Sequence, residues 1–311
     1  MIRAEHVLSC HANSYKPWGQ SISSAEINEL RCLDFAQDHT HIVLPPTSRT
    51  ASPIKAPSLV AHRGNAGEFP ENTLPALRSA LELGIPFVEF DVQLSADHVP
   101  IVLHDANLQR CAGVDRDALS LSWRELQTVH VGEATRFGER FNHVRIPALS
   151  QAVHLLQEFP HATAFVEIKR ASLRQFGADT VLKAVTQAIR PIAHQAVLIS
   201  FDLPALCLAR QLLRMPIGWV LPEYSTQMAI KAEATLPDYL FCNWDKLPSS
   251  RLWRGPWQWA IYEITTDEQI SSLLQRGVHL LETMQVRRMS QQLALMLATA
   301  VPLTTSNRTM D

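Results

Sequence analysis

Phe87-Val88-Glu89-Phe90-Asp91-Val92 and, further along, Phe165-Val166-Glu167-Ile168-Lys169 are the stretches whose reading decides the fold. Both are short and rich in aromatic and β-branched residues, the composition of a strand. Side chains alternate faces along a strand, so Glu89 and Asp91 share one face while Val88, Phe90 and Val92 share the other. Glu167 and Lys169 repeat the arrangement. A third apolar run, Val60-Ala61, leads into His62-Arg63-Gly64 and sets an imidazole and a guanidinium at a strand end. Strands covered on both faces are nearly continuous Val, Ile and Leu. Charges at alternate positions are therefore the exception that needs a cause.

Working outward, the same rhythm recurs. Apolar runs predict strands at 59–62, 87–92, 100–104, 164–169, 196–200, 217–220, 239–242, 259–264 and 278–281. Segments of helical period predict helices at 73–83, 149–158, 175–189, 204–213, 267–276 and 290–299. Asn72-Thr73 with Pro75 just inside makes a helix start, and Gly84 a stop. Alternating strands and helices on this scale predict an α/β fold, a (β/α)₈ TIM barrel over residues 58–300. Nine strand candidates for eight places require one irregularity. One of them is a hairpin partner or not a strand, and because the link from Val92 to Pro100 is too short for a helix, that pair is the expected irregularity. Residues 106–145, between the His104 strand and the next helix, read as a small cap insertion.

Residues 1–57 carry no strand pattern and no chemical motif, and read as a poorly structured N-terminal extension with a weak helical stretch around 24–36. Cys10 with His11, and His39 with His41, read there as solvated residues, not metal ligands. In the whole chain of 311 residues, 28 Lys and Arg face 30 Asp and Glu, a formal charge of −2. That balance gives no electrostatic reason to coat nucleic acid or anionic membrane. No apolar run reaches the roughly 18–20 residues of a membrane span. The five cysteines, Cys10, Cys32, Cys111, Cys207 and Cys242, are odd in number and far apart, which predicts reduced thiols and a cytoplasmic setting. Val7-Leu8-Ser9-Cys10 lacks the apolar run that precedes a lipoprotein cleavage box.

Burying three acids on a barrel's inner face is costly unless they are paired or hold a cation. Only Arg63 and Lys169 are at hand to pair Glu89, Asp91 and Glu167. An all-oxygen donor set suits one hard divalent ion, Mg²⁺ or Ca²⁺. Three carboxylates, one such ion and two basic side chains leave a single positive charge when the histidines are neutral, which complements a phosphodiester. His62 and His104 each end a strand, where barrel enzymes gather their catalytic groups. Two imidazoles beside a phosphodiester can take a proton from the attacking hydroxyl and return one to the leaving alkoxide.

His62-Arg63-Gly64, Pro70-Glu71-Asn72-Thr73, Glu89-Phe90-Asp91-Val92 with Leu94, Asp97 and Pro100, then His104-Asp105 and Glu167-Ile168-Lys169, resemble the glycerophosphodiester phosphodiesterase family. The resemblance runs from about Leu59 to Met289. It implies a TIM-barrel hydrolase that splits glycerophosphodiesters into glycerol 3-phosphate and an alcohol. It further implies that Glu89, Asp91 and Glu167 hold the metal, that His62 and His104 are the acid–base pair, and that Arg63 and Lys169 contact phosphate. Glu71, Asn72 and Tyr262 are added as candidate pocket residues. Two features depart from the family pattern. Its late-strand Trp and the Asn three residues on are here Tyr262 and Thr265, and its acidic end after the last strand is here Leu281-Glu282-Thr283-Met284. Both bear on head-group choice. A lysophospholipid-directed phosphodiesterase and a non-catalytic phosphodiester-binding relative are the alternatives. Arg110, Arg136 and Arg140 read as solvated surface, and Trp244, Trp253, Trp257 and Trp259 as packing.

Overall fold

The computed structural model describes residues 57–300, so the extension expected over residues 1–57 lies almost wholly outside the described residues, as do Cys10 and Cys32. The first half of the described chain runs Ser58–Ala61 (β1), Leu74–Glu82 (α1), Phe87–Leu94 (β2), Pro100–Val102 (β3), Gln109–Ala112 (α2), Trp123–Leu126 (α3), Ala134–Phe137 (α4) and Leu149–Gln157 (α5). Then come Thr163–Ile168 (β4), Arg170–Phe176 (α6), Ala178–Ile189 (α7), Ala196–Ser200 (β5), Leu203–Leu213 (α8), Ile217–Val220 (β6) and Thr226–Thr235 (α9). Tyr239–Asn243 (β7), Gln258–Tyr262 (β8), Asp267–Gln275 (α10), Leu280–Thr283 (β9) and Val286–Ala300 (α11) complete it.

Eight strands, β1, β2 and β4 to β9, pair in parallel, and β1 joins both β2 and β9, so the sheet closes on itself. This is a TIM barrel. β3 lies outside the ring, antiparallel to β2 with Gln93 opposite Ile101, so the irregularity expected at the short link is a hairpin. Two cores follow from strand alternation. Val60, Phe165, Val197, Ile199, Val220, Phe241, Ala260 and Leu280 fill the barrel interior. Val88, Phe90, Val92, Val166 and Ile168 point the other way, into the layer between sheet and helices. A third apolar cluster, including Leu108, Cys111, Leu126, Phe141 and Ile146, belongs to the segment between β3 and α5 and gives that insertion a centre of its own.

Several elements differ from expectation for local reasons. The helix expected at 175–189 is two helices, α6 and α7, divided at Gly177, whose φ of 78° no helix accommodates. The helix α9 was not expected, because only Met228 and Ala232 are buried on it and its apolar stripe is thin. The expected strand 259–264 stops at Tyr262, since Glu263 takes a φ of 66°. The last strand is shifted two residues along from 278–281, which brings Glu282 into the sheet. Trp259 and Trp257 pack in the helix-side layer, with Trp253 stacked on Tyr224 at 4.0 Å, as the packing reading required. Among the described residues no helix is long and apolar enough to cross a membrane.

Candidate active site

At the C-terminal ends of the strands the interior changes from apolar to charged. A cavity of about 100 Å³ opens there, and among its lining are His62, Arg63, Glu89, His104, Glu167, Lys169 and Tyr262. The parallel register places Asp91 directly opposite Glu167 on the neighbouring strand. One oxygen each from Glu89, Asp91 and Glu167 lie within 4.8 Å of one another, close enough to ligate a single ion. Glu89 is 2 % exposed and Asp91 1 %.

The three carboxylates are not equivalently satisfied. Asp91 accepts hydrogen bonds from Asn72 Nδ2 at 2.8 Å and Lys169 Nζ at 3.0 Å, and Arg63 Nε lies 3.3 Å away. Burial alone would raise its pKa, but Lys169 and Arg63 outweigh burial and hold it well below the usual carboxylate range. Glu167 accepts from Lys169 Nζ at 2.8 Å, yet burial keeps its pKa raised. Glu89 accepts the Arg63 backbone N–H at 3.0 Å through Oε2, while its buried Oε1 has no hydrogen-bond partner. Burial, then the charges of Asp91, Glu282 and Glu167, push Glu89 far up. An orphaned buried carboxylate oxygen within an all-oxygen cluster of excess negative charge is what a hard divalent cation would satisfy. The residues fit the expected ion.

Backbone strain delivers the basic groups. Arg63 and Gly64 take consecutive left-handed conformations, φ 55° and 78°. A Cβ at position 64 would stand 2.6 Å from the Ala76 carbonyl carbon in α1, so only glycine fits this turn. The turn aims the Arg63 N–H at Glu89, and the guanidinium reaches Glu71 Oε1 at 2.9 Å. Asn72, also left-handed at φ 57°, grips Asp91 twice, through Nδ2 and by accepting the Asp91 N–H at 3.0 Å. Glu71 and Asn72 therefore stand behind the cavity and hold its wall. Lys169 bridges Asp91 and Glu167 through Nζ and is among the residues that line the cavity.

The histidines sit in different settings. The His62 ring is buried, with Nε2 4.0 Å from Glu89 Oε2 and Nδ1 3.8 Å from Glu263 Oε1. Burial and the nearby Arg63 charge push its pKa down to about 3, against Asp91 and Glu71, so it is neutral at ordinary pH. His104 is more open, and its Nδ1 lies 2.5 Å from Asp105 Oδ1. Tyr262 faces His62 with ring centroids 6.3 Å apart.

Sequence reasoning missed three contributors. Glu282 is 2 % exposed, and one of its oxygens lies within 4.8 Å of ligating atoms of His62 and Glu89. The alternation Leu280, Glu282 would have found it, had the strand frame been two residues later. Burial and the charge of Glu167 push its pKa well up, so it adds a buried proton-binding carboxyl that the count over three acids left out. Glu263 lines the cavity rim from its left-handed position. Arg110 is no solvated bystander: it makes a bidentate pair with Glu71 at 2.7 and 2.8 Å and donates to Asp105. Arg136 likewise bonds Glu133 and the Ala66 carbonyl, and Arg140 lies 4.7 Å over the Phe141 ring.

Comparison with known proteins bears on the fold and the family. A phosphodiesterase from Oleispira antarctica, solved in complex with the product sn-glycerol-3-phosphate, superposes with a TM-score of 0.67 at 19 % identity, covering 77 % of this chain and 97 % of that one. A glycerophosphoryl diester phosphodiesterase structure from Silicibacter pomeroyi gives 0.68 at 20 % identity, with 78 % and 94 % covered. At these identities the likeness shows the fold. In sequence, glycerophosphodiester phosphodiesterase 1 of Bos taurus is 28 % identical over 161 residues, 50 % of this chain and 47 % of that protein. Lysophospholipase D GDPD3 of Homo sapiens is 36 % identical over 112 residues, 36 % of this chain and 35 % of that protein. The matched segments thus span less than half the length of these relatives. Residues 62–249, which hold both histidines, the three clustered acids and Lys169, match the family model described as the glycerophosphoryl diester phosphodiesterase family. With most of its barrel matched in this way, the chain belongs to that family.

Proposed function

We propose that this chain is a phosphoric diester hydrolase that cleaves glycerophosphodiesters to glycerol 3-phosphate and an alcohol, with one divalent cation, Mg²⁺ or Ca²⁺. The observation that carries the reading is the meeting of Glu89, Asp91 and Glu167 oxygens beside a cavity that Glu89, Glu167, His104 and Lys169 line. Glu89, Asp91 and Glu167 would hold the ion, and when bound it would neutralise charge on the phosphate oxygens. Arg63 and Lys169 supply the remaining positive charge and orient the diester. His62 and His104 form the proton-transfer pair. One imidazole takes the proton of the attacking hydroxyl as oxygen bonds to phosphorus; the attacker is water, or the glycerol 2-hydroxyl, in which case the cyclic phosphate formed is then opened by water to glycerol 3-phosphate. The other gives a proton to the alkoxide as its bond to phosphorus breaks. Asp105 accepts from His104 Nδ1–H and so turns Nε2 into the role of proton carrier.

The test is glycerol 3-phosphate release from glycerophosphocholine and glycerophosphoethanolamine in Mg²⁺, in Ca²⁺ and with chelator, with Glu89→Ala as control. Release that needs the ion and Glu89 is the expected result. Saturable binding of the diester without release would instead identify a non-catalytic relative. The human lysophospholipase D match favours a second reading, a lysophospholipid substrate, and a higher kcat/KM on lysophosphatidylcholine would establish it.

A further inference from the structure

We propose that Arg110, carried by the insertion, is a positioning residue that sets the His104 ring and the Arg63 guanidinium from one point. The inference rests on the hydrolase reading for its kinetic arm. Arg110 spends every face of its planar fork on the site. Nε donates to Asp105 Oδ2 at 2.5 Å, Nη1 to Glu71 Oε2 at 2.8 Å and Nη2 to Glu71 Oε1 at 2.7 Å. The same two acids touch the working groups, Asp105 through its other oxygen and Glu71 through the Oε1 it shares with Arg110. Asp105 Oδ1 meets His104 Nδ1 at 2.5 Å, and Glu71 Oε1 accepts from Arg63 Nη1 at 2.9 Å. His104, Asp105, Arg110, Glu71 and Arg63 thus form one unbroken chain of charge-assisted hydrogen bonds.

An ionised carboxylate only accepts, so Asp105 selects the His104 tautomer with the proton on Nδ1. That selection holds only while Asp105 is itself held, and Arg110 is its other side-chain partner. The His104 backbone is fixed separately, because Gln93 Nε2 donates to its carbonyl at 2.9 Å. What Arg110 governs is therefore the ring and not the loop. Arg110 is in turn fixed by its neighbours in the insertion, since Leu108 and Cys111 are buried in that segment's own apolar cluster. Lysine would keep the charge but lose the fork, and could not serve both acids in this geometry.

The experiment compares wild type, R110A and R110K in Mg²⁺ by two readouts. Nitrogen-15 NMR of the imidazoles, with His104 assigned by its loss in H104Q, reports the tautomer without reference to turnover. Wild type is expected to hold the proton on Nδ1, and both variants to show a mixture. In kinetics on glycerophosphocholine, kcat is expected to fall roughly 10–100-fold, the usual cost of removing a supporting partner. R110K should recover little of it, and added guanidinium should restore part of the loss in R110A but none in H104Q. Wild-type nitrogen shifts in R110A, or wild-type kcat in R110K, would overturn the proposal. If R110A does not fold, R110K carries both readouts. If wild type releases no glycerol 3-phosphate, the hydrolase reading has failed and the nitrogen shifts alone decide the role of Arg110.

Discussion

Phe165 and Glu167 lie two residues apart on the same face of the same strand, and the barrel treats them as opposites. Phe165 is fully buried and packs on Phe87 at 5.6 Å and edge-on to Tyr239 and Phe241, both at 5.0 Å. Glu167, one inward step higher, faces Asp91 and Lys169. The step repeats around the ring, from Val60 on β1 to His62 just past its end, from Phe87 to Glu89 on β2 and from Leu280 to Glu282 on β9. A floor of interlocked apolar side chains supports a ceiling of charge. The floor excludes water and stiffens the strand ends, and both effects strengthen electrostatic interaction in the layer above. The difference between the layers teaches that one inner face can serve stability below and chemistry above, provided the charges face the cavity.

The contrast can be broken from either side. The largest effect is expected from Glu89→Ala, which should lower turnover by at least about 10³-fold, since several kcal/mol of charge stabilisation go with the bound ion. Equilibrium dialysis should show loss of bound Mg²⁺ while the thermal unfolding transition survives. Next, His104→Ala should cost roughly 10²–10⁴-fold in kcat with little change in fold, the range for a group that transfers a proton. An unchanged kcat would remove His104 from the reaction.

Moving down to the floor inverts the pattern. Phe165→Ala should destabilise by about 3–5 kcal/mol in urea unfolding, through lost transfer energy and the cavity left among the three remaining aromatic rings. Below the unfolding transition it should still bind the ion. A variant that lost the ion but kept its stability would erase the division between layers.

The smallest effect concerns pH. Burial raises the pKa of Glu71, but its hydrogen bonds to Arg110 and the Arg63 charge outweigh burial and hold it below its usual 4.5. The unfolded chain therefore binds more protons in the window below 4.5, and the stability that Glu71 contributes is present above that window and lost as pH falls through its lowered value. The urea midpoint should drop on acidification, and the slope should be shallower in R110A than in wild type. Equal slopes would show that the buried pair contributes nothing to acid stability.

How much of this was legible in one dimension depended on how local the signal was. The two faces of β2 and β4 could be read directly, because strand alternation is a property of neighbouring residues. So could the irregularity between β2 and β3, from a link too short for a helix, and the acidic trio, from charges breaking apolar runs. Glu282 escaped because its meaning depended on a strand boundary, and a shift of two residues moved it from beyond the sheet into the ring. α9 escaped because its buried stripe is too thin to produce a period. Arg110 escaped because nothing nearby in sequence marks an arginine as a clamp. Its partner Glu71 is 39 residues away, and only the packed insertion brings the two within 2.8 Å.

The order of residues by itself therefore determined the barrel, its inner and outer faces, and which acids and histidines would stand at strand ends, since each follows from period and short-range sterics. Closure of the ring decided the rest. It chose which carboxylates share one cation-sized space, left an oxygen of Glu89 without a protein partner, drove His62 to neutrality and linked His104 to Arg63 through a distant arginine. Those outcomes depend on burial and on distances between segments far apart in the chain, quantities that exist only once the strands have met.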